Sequence, residues 1–426
     1  MTSPRVLITG ASIAGPALAY WLHRYGWQPV LLERAPALRM GGQNIDVRGA
    51  GREVARRMGI EDAIRAAGTG ELGTRFVGAD GASIARFPAG TSDSAGATAE
   101  LEILRGDLAQ LLVGCTADLV EHRFGDWVTG LHDHGDVDPF ISRSTAPDTA
   151  PDTTPVGAGG VSVSFAHAAD ERFDLVIAAD GIGSSTRGLV FGDEVEIRSL
   201  GMETAWATIA RTAADDDWWR WYSAPGGRTI NLRPDAVGTI RASLSHPGQR
   251  TRGAADAGHR TLDEERALLR ARFADAGWEA SRVLDGFDAA DDLYVQSIGQ
   301  VRAPRWSQGR VALVGDAAYC ASPVSGMGTS LALVGAYVLA GELAAHVDHR
   351  DAFRGYERIM RPYVDQAQKL PPGVPRIANP RSRAGVGVFR LGLRVASNPL
   401  VGSLGERFST PPADAIDLPD YTHLHR

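Results

Sequence analysis

Gly10, Ser12 and Gly15 stand at a spacing that makes a tight turn expose its own amides, in the run Thr9-Gly10-Ala11-Ser12-Ile13-Ala14-Gly15. A turn of this G-x-S-x-x-G form lets backbone N–H groups approach an anionic phosphate at the start of a helix. Gly10 permits the turn, Gly15 lets helix and strand pack closely, and Ile13 and Ala14 complete the candidate phosphate set. Ser12 replaces the usual middle glycine and offers a hydroxyl to a phosphate oxygen. Glu33 follows about 20 residues on, where a carboxylate accepts hydrogen bonds from ribose hydroxyls, and Arg34 beside it joins the set. An acidic residue at that point favours a ribose without a 2′-phosphate, as in FAD or NAD, over NADP.

The elements needed to hold such a turn are legible around it. Val6-Leu7-Ile8 reads as an apolar strand, residues 16–25 as a helix with Leu18, Leu22 and Tyr25 on one face, and Val30-Leu31-Leu32 as a second strand. This is the order of a βαβ nucleotide unit. Two later segments have similar character. Asp174-Leu175-Val176-Ile177-Ala178-Ala179-Asp180-Gly181 is a buried strand entering a turn, with Ser184, Ser185 and Arg187 behind it. Gly309-Arg310-Val311-Ala312-Leu313-Val314-Gly315-Asp316-Ala317-Ala318 is another, followed by Pro323, Gly326-Met327-Gly328 and a long helix from Thr329.

Taken in order, the glycine turn, Asp180-Gly181 and Gly315-Asp316 make residues 4–345 resemble the group A FAD-dependent monooxygenases of the para-hydroxybenzoate hydroxylase fold. Arg39-Met40-Gly41-Gly42-Gln43-Asn44-Ile45-Asp46 and Leu104-Arg105-Gly106-Asp107-Leu108 look most like the tetracycline-inactivating members and their relatives. The resemblance implies that Glu33 holds the adenosine ribose, that Arg105 contacts the FAD chain, and that Asp46 lies near the flavin. It implies that Arg39 touches flavin or an incoming nicotinamide nucleotide, that Asp316 holds the ribityl or pyrophosphate region, and that Asp180 and Arg187 sit in a groove shared by FAD and NADPH. The amides of 326–329, including Gly326, Gly328 and Thr329, would open a helix toward the flavin pyrimidine, where negative charge collects on reduction. The implied chemistry is reduction of non-covalently bound FAD by NADPH or NADH, a C4a-hydroperoxyflavin formed with O2, and transfer of one oxygen atom to the substrate; no protein acid, base or nucleophile is assigned. Three positions depart from the family pattern. Tyr319 stands where many relatives have histidine, Thr329-Ser330 replaces an asparagine, and Gly335 stands where an acidic residue is usual.

The expected fold class is α/β. A Rossmann-like FAD-binding domain (1–75, 100–190 and 295–370) is interleaved with a smaller mixed-sheet substrate domain (76–99 and 191–294), and a C-terminal helix and tail follow (371–426). Ala205-Trp206-Ala207-Thr208-Ile209-Ala210, Thr229-Ile230-Asn231-Leu232 and Gly238-Thr239-Ile240-Arg241-Ala242-Ser243-Leu244 read as strands of that substrate sheet. Thr261 and Glu264 form a capping box that starts a helix ended by Gly277. Trp206, Tyr222, Arg241 and Pro323 are the candidate substrate contacts, and Tyr222 belongs to an aromatic cluster, Trp218-Trp219-Arg220-Trp221-Tyr222, whose alternative role is packing. Residues 131–160, rich in Asp, Pro, Thr, Ser and Gly, read as a surface excursion, and 388–395 as an amphipathic bridging helix.

Bulk properties narrow the field. With 44% hydrophobic and 22% charged residues the composition is that of a soluble globular protein. A net charge of -7 and a pI near 5.9 argue against nucleic-acid or anionic-membrane partners. Two cysteines make no disulfide framework, and no export signal or metal-ligand cluster is readable, so a cytoplasmic monomer or homodimer is the expectation. Cys320 beside the third motif reads as a small buried hydrophobe before a redox group. A flavin-dependent halogenase shares the fold, and Trp219-Arg220-Trp221-Tyr222-Ser223-Ala224-Pro225 is similar to its tryptophan signature, but the spacing to proline is wrong and Lys369 is the only lysine. A flavin oxidase or dehydrogenase without oxygen insertion, and a non-catalytic FAD-holding ligand-binding protein, remain as alternatives. The expected substrate is an aromatic, polycyclic or polyketide-like small molecule, with O2 as co-substrate.

Overall fold

The computed structural model describes residues 3–39, 42–89, 99–135, 159–248, 260–370, 378–398 and 412–425. Most of the 131–160 excursion, and Met40-Gly41, lie outside them.

The short apolar runs become the centre of a six-stranded sheet in the order Ser307–Gln308, Val311–Leu313, Leu175–Ala178, Arg5–Thr9, Gln28–Glu33, Glu121–Phe124. All neighbours in it are parallel except the two-residue Ser307–Gln308 edge. Parallel strands need cover on both faces, which is why these runs are continuously apolar. Val6, Ile8, Leu175 and Ile177 face a helical layer built by Ala14–Arg24 and Gly328–Ala345. Leu7, Val30, Leu32 and Val176 face a three-stranded antiparallel sheet of Val128–Asp133, Val161–Phe165 and Glu171–Phe173. Gly328–Ala345 is the one described helix long and apolar enough to cross a membrane, but 83% of it is buried among these elements, so its apolarity serves the core.

A second, seven-stranded sheet has the order Tyr294–Arg302, Glu196–Ala210, Thr239–Pro247, Arg228–Pro234, Trp219–Ala224, Gly73–Val77, Ser83–Pro88. Its strands reach past the expected limits, starting at Gly73 and ending at Arg302. One face, carrying Val77, Ala205, Ile209, Ile230, Leu232, Ala242 and Leu244, is sealed by the helices Leu262–Phe273 and Ala280–Ala289. The first of these starts on the capping box of Thr261 and Glu264 read from the sequence. A two-stranded ribbon, Asn44–Asp46 with Glu102–Leu104, lies at the seam between the two sheets, where Asn44 Nδ2 donates to the Pro234 carbonyl at 3.1 Å. The amphipathic tail helix spans Arg383–Ala396 and packs on the strand edge of the second sheet, with Phe389 edge-on to Phe76 at 6.1 Å.

Candidate cofactor and active site

The three segments singled out by residue type meet at one place. Gly10 leaves its strand at φ +98°, and a side chain there would place a Cβ 2.8 Å from the Ala179 carbonyl carbon and 2.9 Å from the Asp180 Cα. First and second segments are therefore in backbone contact, and only glycine allows it. Gly315, at φ +64°, brings the third segment to Ala14, whose Cβ would be 2.9 Å from a Cβ on Gly315. Arg187 ties the second to the third, donating to the Ala317 and Ile182 carbonyls at 2.8 Å each.

Around this junction the charged residues are already organised. Both Glu33 oxygens accept backbone amides, Oε2 from Ala11 and Oε1 from Ala35, each at 2.9 Å, so the carboxylate is held against the glycine turn. Arg105 reaches the same turn from the start of its own helix, its Nε donating to Ser12 Oγ at 3.2 Å. Arg34 is exposed, lies 5.4 Å from the Trp127 ring and donates to Ser185 Oγ at 2.7 Å. Asp180 accepts from Ser184 Oγ at 2.5 Å and from the Thr186 amide at 3.2 Å, so its carboxylate shapes its own turn. Asp46 is paired with the buried Arg48 at 3.0 Å and accepts the Ala99 amide at 3.1 Å. Arg39 is exposed.

Asp316 combines two properties that separate a crevice floor from an outer surface. Solvent reaches its side chain, yet surrounding protein desolvates it and raises its carboxyl above the ordinary value, against a hydrogen bond from the Cys320 thiol and the field of Arg105. Cys320 itself is buried, and burial with the neighbouring Asp316 pushes its thiol up; a protonated, enclosed thiol is a packing residue.

Two helix N-termini open here without side-chain caps. Ala14–Arg24 begins at Ile13, and Gly328–Ala345 begins at Met327, with no acidic residue in either first turn. Their orphan amides are available to an anion. Pro323 is exposed in a single 3-10 turn, and Gly326 adopts the left-handed conformation that aims the second helix. Sequence reasoning missed Ser322, just before that turn. It is a non-glycine residue at φ +78° whose buried hydroxyl has no hydrogen-bond partner among the described residues, a combination of strain and unmet polarity that a bound ligand would relieve. It missed Arg48 as well, fully buried and bonded through its backbone to Ser330. The glycine cradle, the uncapped helices, Ser322 and the floor-lying Asp316 fit a dinucleotide cofactor with a polar ring system.

Strand alternation in the seven-stranded sheet separates its side chains onto two faces. The face away from its covering helices carries Phe76, Trp219, Trp221, Ser223, Asn231, Arg233, Arg241, Ser243, Thr204 and Trp206. Trp206 stacks on Tyr294 at 5.7 Å, and Trp221 on Phe76 at 5.6 Å. Trp221 Nε1, Ser223 Oγ and Thr74 Oγ1 on this face are buried without a hydrogen-bond partner among the described residues. Arg241 is on this face too, held by Asp235 at 3.0 Å and by Thr208 Oγ1 at 2.5 Å. Tyr222 corrects the expectation made for it. Its odd-even position turns it to the opposite face, where its hydroxyl donates to the Ala276 carbonyl at 2.7 Å inside the helix-covered core.

At the seam, Arg233 lies 4.2 Å from the Trp219 ring and serves two buried carboxylates, Glu71 at 2.9 Å and Glu102. One guanidinium does not keep both ionised: burial, then Glu71 and Asp46, push Glu102 up to about 8. A cavity of about 340 Å³ lies elsewhere, behind the third segment between Trp306, Tyr319, Arg302 and Arg361, and shares none of the candidate cofactor residues.

Comparison with known proteins agrees with this geometry. The family model for an FAD binding domain matches residues 161–369, which include the second and third segments. A flavin-dependent monooxygenase of Phoma sp, eupH, is 34% identical over 450 residues, covering 100% of this chain and 99% of its own. The uncharacterized protein Rv1260 of Mycobacterium tuberculosis is 38% identical over 368 residues, covering 86% of this chain and 92% of its own. The crystal structure of the tetracycline destructase Tet(51) superposes with a TM-score of 0.75 at 31% identity, over 99% of this chain and 100% of that one.

Proposed function

This chain belongs to the family of FAD-dependent monooxygenases, and on that premise we propose that it draws electrons from NADPH or NADH and hydroxylates a flat aromatic, polycyclic or polyketide-like small molecule. When bound, FAD supplies the activation of O2. The observation that carries the substrate reading is the sheet face away from the covering helices, where stacked rings alternate with polar side chains.

In this reading Gly10, Ser12, Ile13, Ala14 and Gly15 cradle the pyrophosphate, and Arg105 adds a side-chain cation at that turn. Glu33 and Arg34 hold the adenosine end. Asp316 takes hydroxyls on the crevice floor, and the amides of Gly326, Gly328 and Thr329 meet the pyrimidine edge of the ring. Arg39 stays exposed for a donor that visits and leaves. Trp206, Trp219 and Trp221 stack on the substrate, while the unpartnered Trp221 Nε1 and Ser223 Oγ donate to its oxygen atoms. Such a wall excludes water from the reacting face and orients the ring. The destructase Tet(51) is named for tetracycline, and a fused-ring phenol is the first compound to try.

A panel of polycyclic phenols, incubated with the FAD-loaded protein, NADPH or NADH, and O2, tests the reading by mass spectrometry. A product heavier by one oxygen supports it. Nicotinamide oxidation that yields only hydrogen peroxide across the panel favours the oxidase alternative.

A further inference from the structure

Residues 412–425 form a strap that belongs to neither the cofactor segments nor the substrate sheet. Ala413 and Tyr421 are buried in the main core. At one end the Ala413 carbonyl accepts two hydrogen bonds, from the Ala50 amide at 3.1 Å and the Tyr363 hydroxyl at 3.0 Å. Gly49 makes the close approach feasible: at φ +47°, its missing Cβ would stand 2.6 Å from the Ala413 carbonyl carbon. Arg48, one residue earlier, exchanges two bonds with Ser330, its amide donating to Oγ at 3.2 Å and Oγ donating to its carbonyl at 2.9 Å. Ser330 is in the first turn of Gly328–Ala345.

The other end of the strap grips the same helix near its close. The Tyr421 ring fills the space over Gly341, where any Cβ would collide with it, and its hydroxyl donates to Glu342 Oε1 at 2.5 Å. The Pro419 carbonyl accepts from Tyr337 at 2.8 Å and Arg57 at 3.0 Å. Glu342 is buried in a mostly apolar helix, and its Oε2 has no hydrogen-bond partner among the described residues, with the His346 ring nitrogen 3.8 Å away. A buried carboxylate costs stability unless bonded, so its presence there marks Tyr421 as a specific mate.

We propose that the strap is a positioning element for the flavin site: Tyr421 on Glu342 and Ala413 on Gly49-Ala50 together fix where the bare N-terminus of Gly328–Ala345 stands relative to the flavin ring. This rests on the reading above that the flavin lies at that N-terminus. A helix start favours negative charge within its first turn, so its distance sets how strongly reduced flavin is held relative to oxidised.

The test is the two-electron reduction potential and FAD dissociation constant of purified holoenzyme. Gly341→Ala drives the Tyr421 ring from its seat, and Tyr421→Phe removes only the hydroxyl. With Gly341→Ala, reduced flavin should lose about tenfold more affinity than oxidised flavin, a fall of about 30 mV. Tyr421→Phe should shift the potential in the same direction by less, and it carries the test alone if Gly341→Ala does not fold. Glu342→Gln combined with Tyr421→Phe removes the stranded charge; it should restore thermal stability while leaving the potential low. Folded variants that lose thermal stability yet keep the wild-type potential overturn the proposal. Gly328→Asp, at a position whose Cβ meets nothing within 4 Å among the described residues, separates the two readings. If flavin lies at this N-terminus the added carboxylate lowers the potential, and an unchanged potential removes both the placement and the strap's role.

Discussion

The Tyr319 phenol occupies the space that a side chain on Gly335 would need. A Cβ at 335 would collide with the Tyr319 hydroxyl and lie 3.2 Å from Cζ, while the Tyr356 hydroxyl sits 3.0 Å from that of Tyr319. Tyrosine at 319 and glycine at 335 were separate departures from the family pattern in the sequence. In three dimensions they are one change, a larger ring on one element matched by a bare backbone on the helix beside it.

Gly335→Ala should therefore destabilise the protein, although alanine is the better helix former. The propensity gain is about 1 kcal/mol, whereas overpacking a close-packed core costs about 1–3 kcal/mol. Thermal unfolding should show a lower midpoint, largely recovered in Tyr319→Phe/Gly335→Ala, where the colliding oxygen is gone. An unchanged midpoint in the single variant would mean that the two positions are independent.

Arg105→Ala should weaken FAD binding about 10- to 100-fold, the loss of about 1.5–3 kcal/mol expected for a hydrogen bond to a charged group. Gly10→Ala should abolish FAD retention, since both its positive φ and its contact with Asp180 forbid a side chain. Fluorescence titration of released FAD measures both. Arg105→Ala retaining wild-type affinity would remove that arginine from the cofactor site.

Trp221 and Tyr222 are neighbours in sequence with opposite fates. Trp221→Phe keeps a ring but loses the unpartnered N–H, and should raise KM several-fold with little change in thermal stability. Tyr222→Phe loses a buried bond to Ala276, and should cost about 1 kcal/mol of stability with KM unchanged. Steady-state kinetics and thermal unfolding of both variants test this, and the reverse pattern would contradict the assignment of sheet faces.

Glu102 gives the fold a pH dependence. Its folded value is raised from 4.5 to about 8, chiefly by burial, so between those pH values the folded protein holds a proton that the unfolded chain has released. Its contribution to stability is full below about pH 4.5, falls as pH rises, and is exhausted above about 8, at no more than about 1.4 kcal/mol per pH unit. Glu102→Gln should flatten that slope in denaturant titrations across the range. A slope equal to that of the wild type would place the buried proton on another group.

What the sequence revealed was local. The parallel strands announce themselves as short apolar runs because both of their faces are buried, and the glycine turn is legible because its backbone conformation admits so few residue types. The Tyr222 expectation failed because aromatic residues fill both faces of Trp219–Ala224, leaving no polar alternation to give the register away. Arg48 and the strap were not legible because each owes its role to a partner far along the chain, Ser330 for the one and Gly341 with Glu342 for the other, and Ser322 was not because its left-handed backbone is one that serine rarely adopts.

Oxygen insertion is decided by turnover of a polycyclic phenol by the FAD-loaded protein with NADPH or NADH under isotopically heavy dioxygen. The product should carry one heavy oxygen atom and form in step with nicotinamide oxidation. Steady nicotinamide oxidation with hydrogen peroxide as the sole oxygen product, and no label in any compound that stimulates it, would contradict it.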